Sequence, residues 1–256
     1  MNHRDPHSRQ GRTTRRRRRT SPRRASVVLG CVAFVGLLMV VGAVVGTGDD
    51  GDTSPSASSG SSGKSSARIP ASGPGTFTTA GGQGRTHGGG RILTYQVSVE
   101  DGLDMSAAAT AKEVEDILGN PRGWTADDAW GFRRVAGGTP DFQVRVATPG
   151  TVDKICGEYH LDTGGEVNCN VGNQVMVNLK RWLLATPAYA DDVPSYRALI
   201  INHEVGHFLG HGHETCPRTG APAPVMMQQI KGLRGCVTNV WPFTSGGQAI
   251  TGPRVP

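Results

Sequence analysis

The residues best equipped for chemistry form one short run, His203-Glu204-Val205-Gly206-His207-Phe208-Leu209-Gly210-His211-Gly212-His213, which contains HExxHxxGxxH in full. Side chains four apart on an α-helix lie on one face, so His203 and His207 can share a metal ion. Gly210 can adopt the left-handed conformation that ends a helix and turns the chain, which brings His213 back as a third ligand. His211 competes for that place because it continues the i, i+4 series. Gly210 interrupts the series, so His213 is the expected ligand. Three neutral imidazoles leave a zinc ion its full charge and one open position, and one Zn2+ is the expected cofactor. Glu204 adjoins the first ligand without being one. It is expected to act as a catalytic base, taking a proton from the attacking water and delivering it to a leaving amine.

These side chains need a helix with one apolar face. Residues 194–209 predict it: Ala198, Ile201, Val205 and Phe208 cluster away from the imidazoles, so the core takes one side and the ligands face a cleft. Residues 106–118 predict a second helix, striped by Ala107, Ala111, Val114 and Leu118 and stopped by Gly119 and Pro121. Residues 93–100, 142–147 and 174–182 read as strands, and Phe77 with its neighbouring Thr residues suggests a first strand before a Gly-rich loop at 81–90. The expected fold is an α/β (α+β) domain, a mixed sheet with two main helices, spanning residues 72–256. Cys156, Cys169, Cys216 and Cys236 are even in number and lack CxxC spacing, which favours two disulfides over a metal site. Of the three possible pairings, the local one (156 with 169, 216 with 236) is expected.

The net charge of +6 is unevenly spread. The first 25 residues carry ten Arg against one acid, whereas residues 91–256 hold 14 basic and 17 acidic residues. Residues 25–46 are 22 without a charge, and as a helix they would span about 33 Å, enough for a hydrocarbon core of roughly 30 Å. The expectation is a disordered, cytoplasmic basic arm at 1–24, a transmembrane signal anchor at 25–46 in contact with lipid, and a disordered Gly/Ser-rich linker at 47–71. The remainder then lies outside the cell membrane. The arginines set orientation and meet anionic headgroups, so no nucleic-acid partner is expected.

No Asp or Glu follows Glu214, which excludes zinc centres that complete HExxH with a downstream carboxylate. With a third His instead, the chain resembles the metzincin clan of zinc endopeptidases. It looks more specifically like an actinobacterial family of membrane-anchored metzincin-like domains, through Asn120-Pro121-Arg122-Gly123-Trp124, Tyr196-Arg197, Ile201-Asn202-His203-Glu204 and Ala223-Pro224-Val225-Met226-Met227-Gln228-Gln229. The resemblance implies a tight turn beneath the metal with Met226, or alternatively Met227, packed there, and a 216–236 disulfide would enclose that turn. Gln228 stands where some metzincins carry a Tyr that assists at the metal. Glu214 follows the last ligand, as in the astacin branch, and is expected either to hold a buried amine or Arg or to be exposed. The implied function is a membrane-anchored endopeptidase acting on peptides or proteins outside the cell. The alternatives are a hydrolase of cell-wall peptidoglycan peptides and a non-catalytic module that keeps the fold for binding.

Overall fold

β-Branched and aromatic residues recur through the middle of the chain, and they build one seven-stranded sheet. The computed structural model describes residues 69–255. The arm at 1–24, the apolar segment at 25–46 and nearly all of the linker at 47–71 therefore lie outside the described residues. Among the described residues no helix is long and apolar enough to cross a membrane.

The strands are β1 (Phe77–Thr79), β2 (Thr86–Gly88), β3 (Arg91–Glu100), β4 (Trp130–Arg134), β5 (Phe142–Ala147), β6 (Cys169–Val171) and β7 (Gln174–Asn178). Their order is β2-β4-β3-β5-β7-β6, with β1 pairing with the far end of β3. Strands β4, β3, β5 and β7 are mutually parallel, while β1, β2 and β6 run antiparallel to their neighbours. The sheet is therefore mixed, as expected. Strand β6 forms one edge.

Among the described residues four α-helices accompany it: α1 (Ala107–Leu118), α2 (Pro149–Gly157), α3 (Leu179–Leu184) and α4 (Val193–Phe208). The two long ones match the expected pair; the two short ones are additions. The expected strand at 174–182 is corrected, because β7 stops at Asn178 and α3 begins there. The Asn178 side chain accepts from the Lys180 N–H at 2.9 Å and caps the new helix. Trp182 is then a buried helical residue.

Period-two alternation separates two apolar layers. Val175 and Val177 join the main core with Val114 and Leu118 of α1 and Ile201 and Val205 of α4. Met176, between them, joins Val152 and Cys156 of α2 in a smaller cluster. Residues just before 72 also pack on this domain: Ile69 lies against the main core and the Ala71 carbonyl accepts from Gly150 N at 2.8 Å. Glu100, 1 % exposed, latches this entry segment by accepting from Gly75 N at 2.8 Å, Thr148 N at 2.7 Å and Thr151 Oγ1 at 2.5 Å.

Helix α4 is held at both ends. Asp192 caps its start by accepting from Ser195 N at 3.1 Å. One turn in, Arg197 donates to the Trp182 carbonyl at 2.7 Å and to Glu113 of α1 at 3.0 and 3.1 Å. Its guanidinium also lies 4.8 Å from the Trp182 ring centre. The helix that carries the histidines is thus fixed against both α1 and α3.

Candidate metal centre

Helix α4 ends where the motif requires a turn. Gly210 has φ of 92°, Gly210 N donates to the His207 carbonyl and His211 N to the Gly206 carbonyl. That pair of bonds is a Schellman motif, in which a glycine beyond the last helical turn takes the left-handed conformation. The reversal carries His213 back towards the helix. His203, His207 and His213 are the cluster of possible metal ligands found among the described residues. The His207 Nε2 lies 3.2 Å from His203 Nε2 and 3.1 Å from His213 Nε2.

The protonation pattern suits a cation. His203 Nδ1 donates to the Val225 carbonyl at 2.8 Å, and His207 Nδ1 to the His211 carbonyl at 2.9 Å. With the proton on Nδ1, each Nε2 presents a bare lone pair to the others. Burial first, then the neighbouring His207, pushes His203 down to about 3. Burial likewise lowers His207 and His213. The lone pairs of His203 and His207, 3.2 Å apart, repel one another unless a cation lies between them, and His213 Nε2 lies close enough to join such an ion. Tetrahedral zinc with nitrogen bonds of about 2.0–2.1 Å would set its ligands about 3.3–3.4 Å apart. The donor set and spacing therefore fit the ion.

His211 is set aside from this cluster. Its ring stacks on Trp124, with centroids 4.4 Å apart and planes at 19°. Trp124 in turn donates from Nε1 to the Asn202 carbonyl at 2.9 Å. Sequence reasoning singled out this tryptophan for its motif and missed its role as a shelf under α4.

Glu204 is 5 % exposed and faces the same cavity as the three histidines. Burial alone raises its carboxyl to about 8. A dication among the imidazoles would oppose that shift. The cavity, about 400 Å³, is bounded by Tyr196, Leu199 and Ile200 of α4, by Gln228 and Ile230 after the turn, and by Asn168 to Asn170 along the edge strand.

Beneath the cluster, Pro224 to Met227 forms a turn closed by Met227 N donating to the Pro224 carbonyl at 3.0 Å. Met226 is 2 % exposed, and its Sδ occupies the space where a Cβ on Gly206 would stand. That same Cβ would come within 2.8 Å of the Trp124 ring, which its own hydrogen bond and stacking hold in place. Gly206→Ala should therefore overpack the floor of the site and lower unfolding stability by about 1–3 kcal/mol, measured by denaturant titration.

The four cysteines pair as expected. Cys156–Cys169 joins α2 to edge strand β6, and Cys216–Cys236 brackets the Met226 turn. Among the described residues the Glu214 carboxylate forms no ion pair with a Lys or Arg side chain; its Oε2 accepts from the Gly252 backbone N–H at 2.9 Å. His87 and His160 stand apart from the cluster, His87 lying 3.4 Å from Glu115.

Fold and site together define a mixed-sheet α/β domain with two disulfides and a histidine triad able to hold a metal ion. Residues 64–243 match the family described as "Protein of unknown function (DUF3152)", and the chain belongs to that family. No curated protein and no solved structure matches it.

Proposed function

We propose that this chain is a zinc-dependent endopeptidase of metzincin type, acting outside the cell membrane and tethered by residues 25–46 with the basic arm on the cytoplasmic side. The observation that carries the reading is the convergence of three imidazole ligand atoms, from His203, His207 and His213, beside the buried Glu204 in one cleft. The two disulfides support an oxidising compartment.

His203, His207 and His213 would hold the zinc. When bound, the ion supplies Lewis acidity that polarises a carbonyl and eases deprotonation of water. The chain supplies the rest. Edge strand β6 borders the cleft and among the described residues has no further strand beside it, so an extended peptide can lie along that wall. Tyr196, Leu199, Ile200 and Ile230 make an apolar recess for one substrate side chain. Glu204 accepts a proton from the attacking water at its carboxylate and hands it to the departing nitrogen. Its burial keeps bulk solvent from intercepting that transfer.

The test uses the purified full-length chain. One equivalent of zinc and chelator-sensitive cleavage of a mixed peptide library, restored by added zinc, are the expected results. Cleavage of muropeptides but not of proteins would move the assignment to cell-wall hydrolysis. Zinc binding without hydrolysis of either would leave a binding module.

A further inference from the structure

His203 and His207 each have their ring fixed through Nδ1, by the carbonyls of Val225 and His211. His213 differs. Among the described residues no hydrogen bond holds its Nδ1, and it stands beyond the helix on an extended segment. Its position depends on what holds the backbone from His213 to Thr215.

Two strands of chain hold it. On one side Glu214 N donates to the Met226 carbonyl at 3.1 Å, which ties the segment to the turn beneath the metal. On the other side lies the segment from Gly252 to Val255. Val255 N donates to the His213 carbonyl at 3.0 Å, Thr215 N to the Pro253 carbonyl at 2.9 Å, and Gly252 N to Glu214 Oε2 at 2.9 Å. The third ligand is thus the middle member of a small three-stranded clamp, paired through Glu214 with Met227 and with Arg254.

The outer strand is itself anchored. Phe243 is buried, packs edge-on against Trp124 and accepts at its carbonyl from Arg122 Nε. A turn from Phe243 to Ala249 then sends the chain back towards the site. Gly252 sits so close to the Thr215 carbonyl that a Cβ there would overlap its oxygen, and it would also press on the Pro224 ring at 3.0 Å. Gly252 to Val255 lie beyond the stretch that matches the family, residues 64–243.

We propose that Gly252 to Val255 is a strap that positions His213 for metal binding, with Glu214 as its buckle. Glu214 is a positioning residue here, acting through the backbone of its neighbour. The proposal rests on the three-histidine metal reading but not on peptide hydrolysis.

The test is zinc affinity of the full chain, measured by competition with a chromophoric chelator, beside the thermal midpoint of the metal-free protein. Gly252→Ala and Glu214→Ala should each weaken zinc binding by about 10–100-fold, as loss of groups supporting metal ligands does. The metal-free midpoint should stay near that of the unaltered chain, because the sheet core does not rest on the strap. Glu214→Gln keeps an acceptor oxygen for Gly252 N and should restore affinity. Unchanged affinity in both alanine variants overturns the strap. So does a drop in affinity fully matched by a lower metal-free midpoint. Should Gly252→Ala not fold, the Glu214 pair decides alone. An unaltered chain that binds no zinc fails the metal reading itself, a different outcome.

Discussion

Glu204→Gln should bind one zinc as tightly as the unaltered protein and hydrolyse peptides about 100- to 10,000-fold more slowly. The affinity is expected to survive because the converging ligand atoms all belong to histidines. The rate is expected to fall because an amide of the same shape cannot take up a proton, and a positioned acid–base group contributes that range. Burial already opposes a charge at this position, so the neutral amide should fold at least as stably. Zinc content, a rate on one defined peptide and a melting curve check all three parts. Full activity in this variant would remove Glu204 from the mechanism.

The second large effect follows from the central place of His207, whose Nε2 is within 3.2 Å of both other ligand atoms. His207→Ala should abolish measurable zinc binding and hydrolysis together. Free zinc at a hundredfold excess over its dissociation constant stabilises a folded state that alone binds it by about 2.7 kcal/mol. The unaltered metal-free chain should show that gain on adding zinc, and the variant should show none. Without zinc the variant should be no less stable, since it relieves the crowding of lone pairs. A full zinc-induced rise in the variant would show that the ion is held elsewhere.

Much of the site was legible because its residues announce themselves by type and spacing. Helix α4 was expected over 194–209 and runs Val193–Phe208; the glycine that ends it takes the left-handed conformation that its place in the motif suggests. Strand β5 was read to the residue, and both disulfides pair locally as expected. Helix α2 escaped notice because it is short and only weakly striped. Its one signal is Thr148-Pro149, a cap followed by a proline in the first turn. The strand read through Trp182 failed for another reason: an asparagine cap outweighed a continuing apolar pattern. The supporting role of Trp124 and the strap were not legible because both depend on distant backbone carbonyls and amides. Such bonds impose almost no residue type, apart from a glycine where chains cross closely. Glu214 shows the same limit, since its partner is a peptide N–H rather than a cation.

The two cystine bridges bear on the order in which the protein matures. Cys169 borders the cleft and Cys216 stands shortly after His213, so before the bridges close at least two thiols stand near the imidazoles. Thiolates are softer, stronger zinc donors than histidine, and they compete for the ion wherever they remain reduced. If the histidines hold zinc as proposed, closing both bridges would remove these rivals for it. On the proposed reading, oxidation would then be a step of metal selection as well as of stiffening.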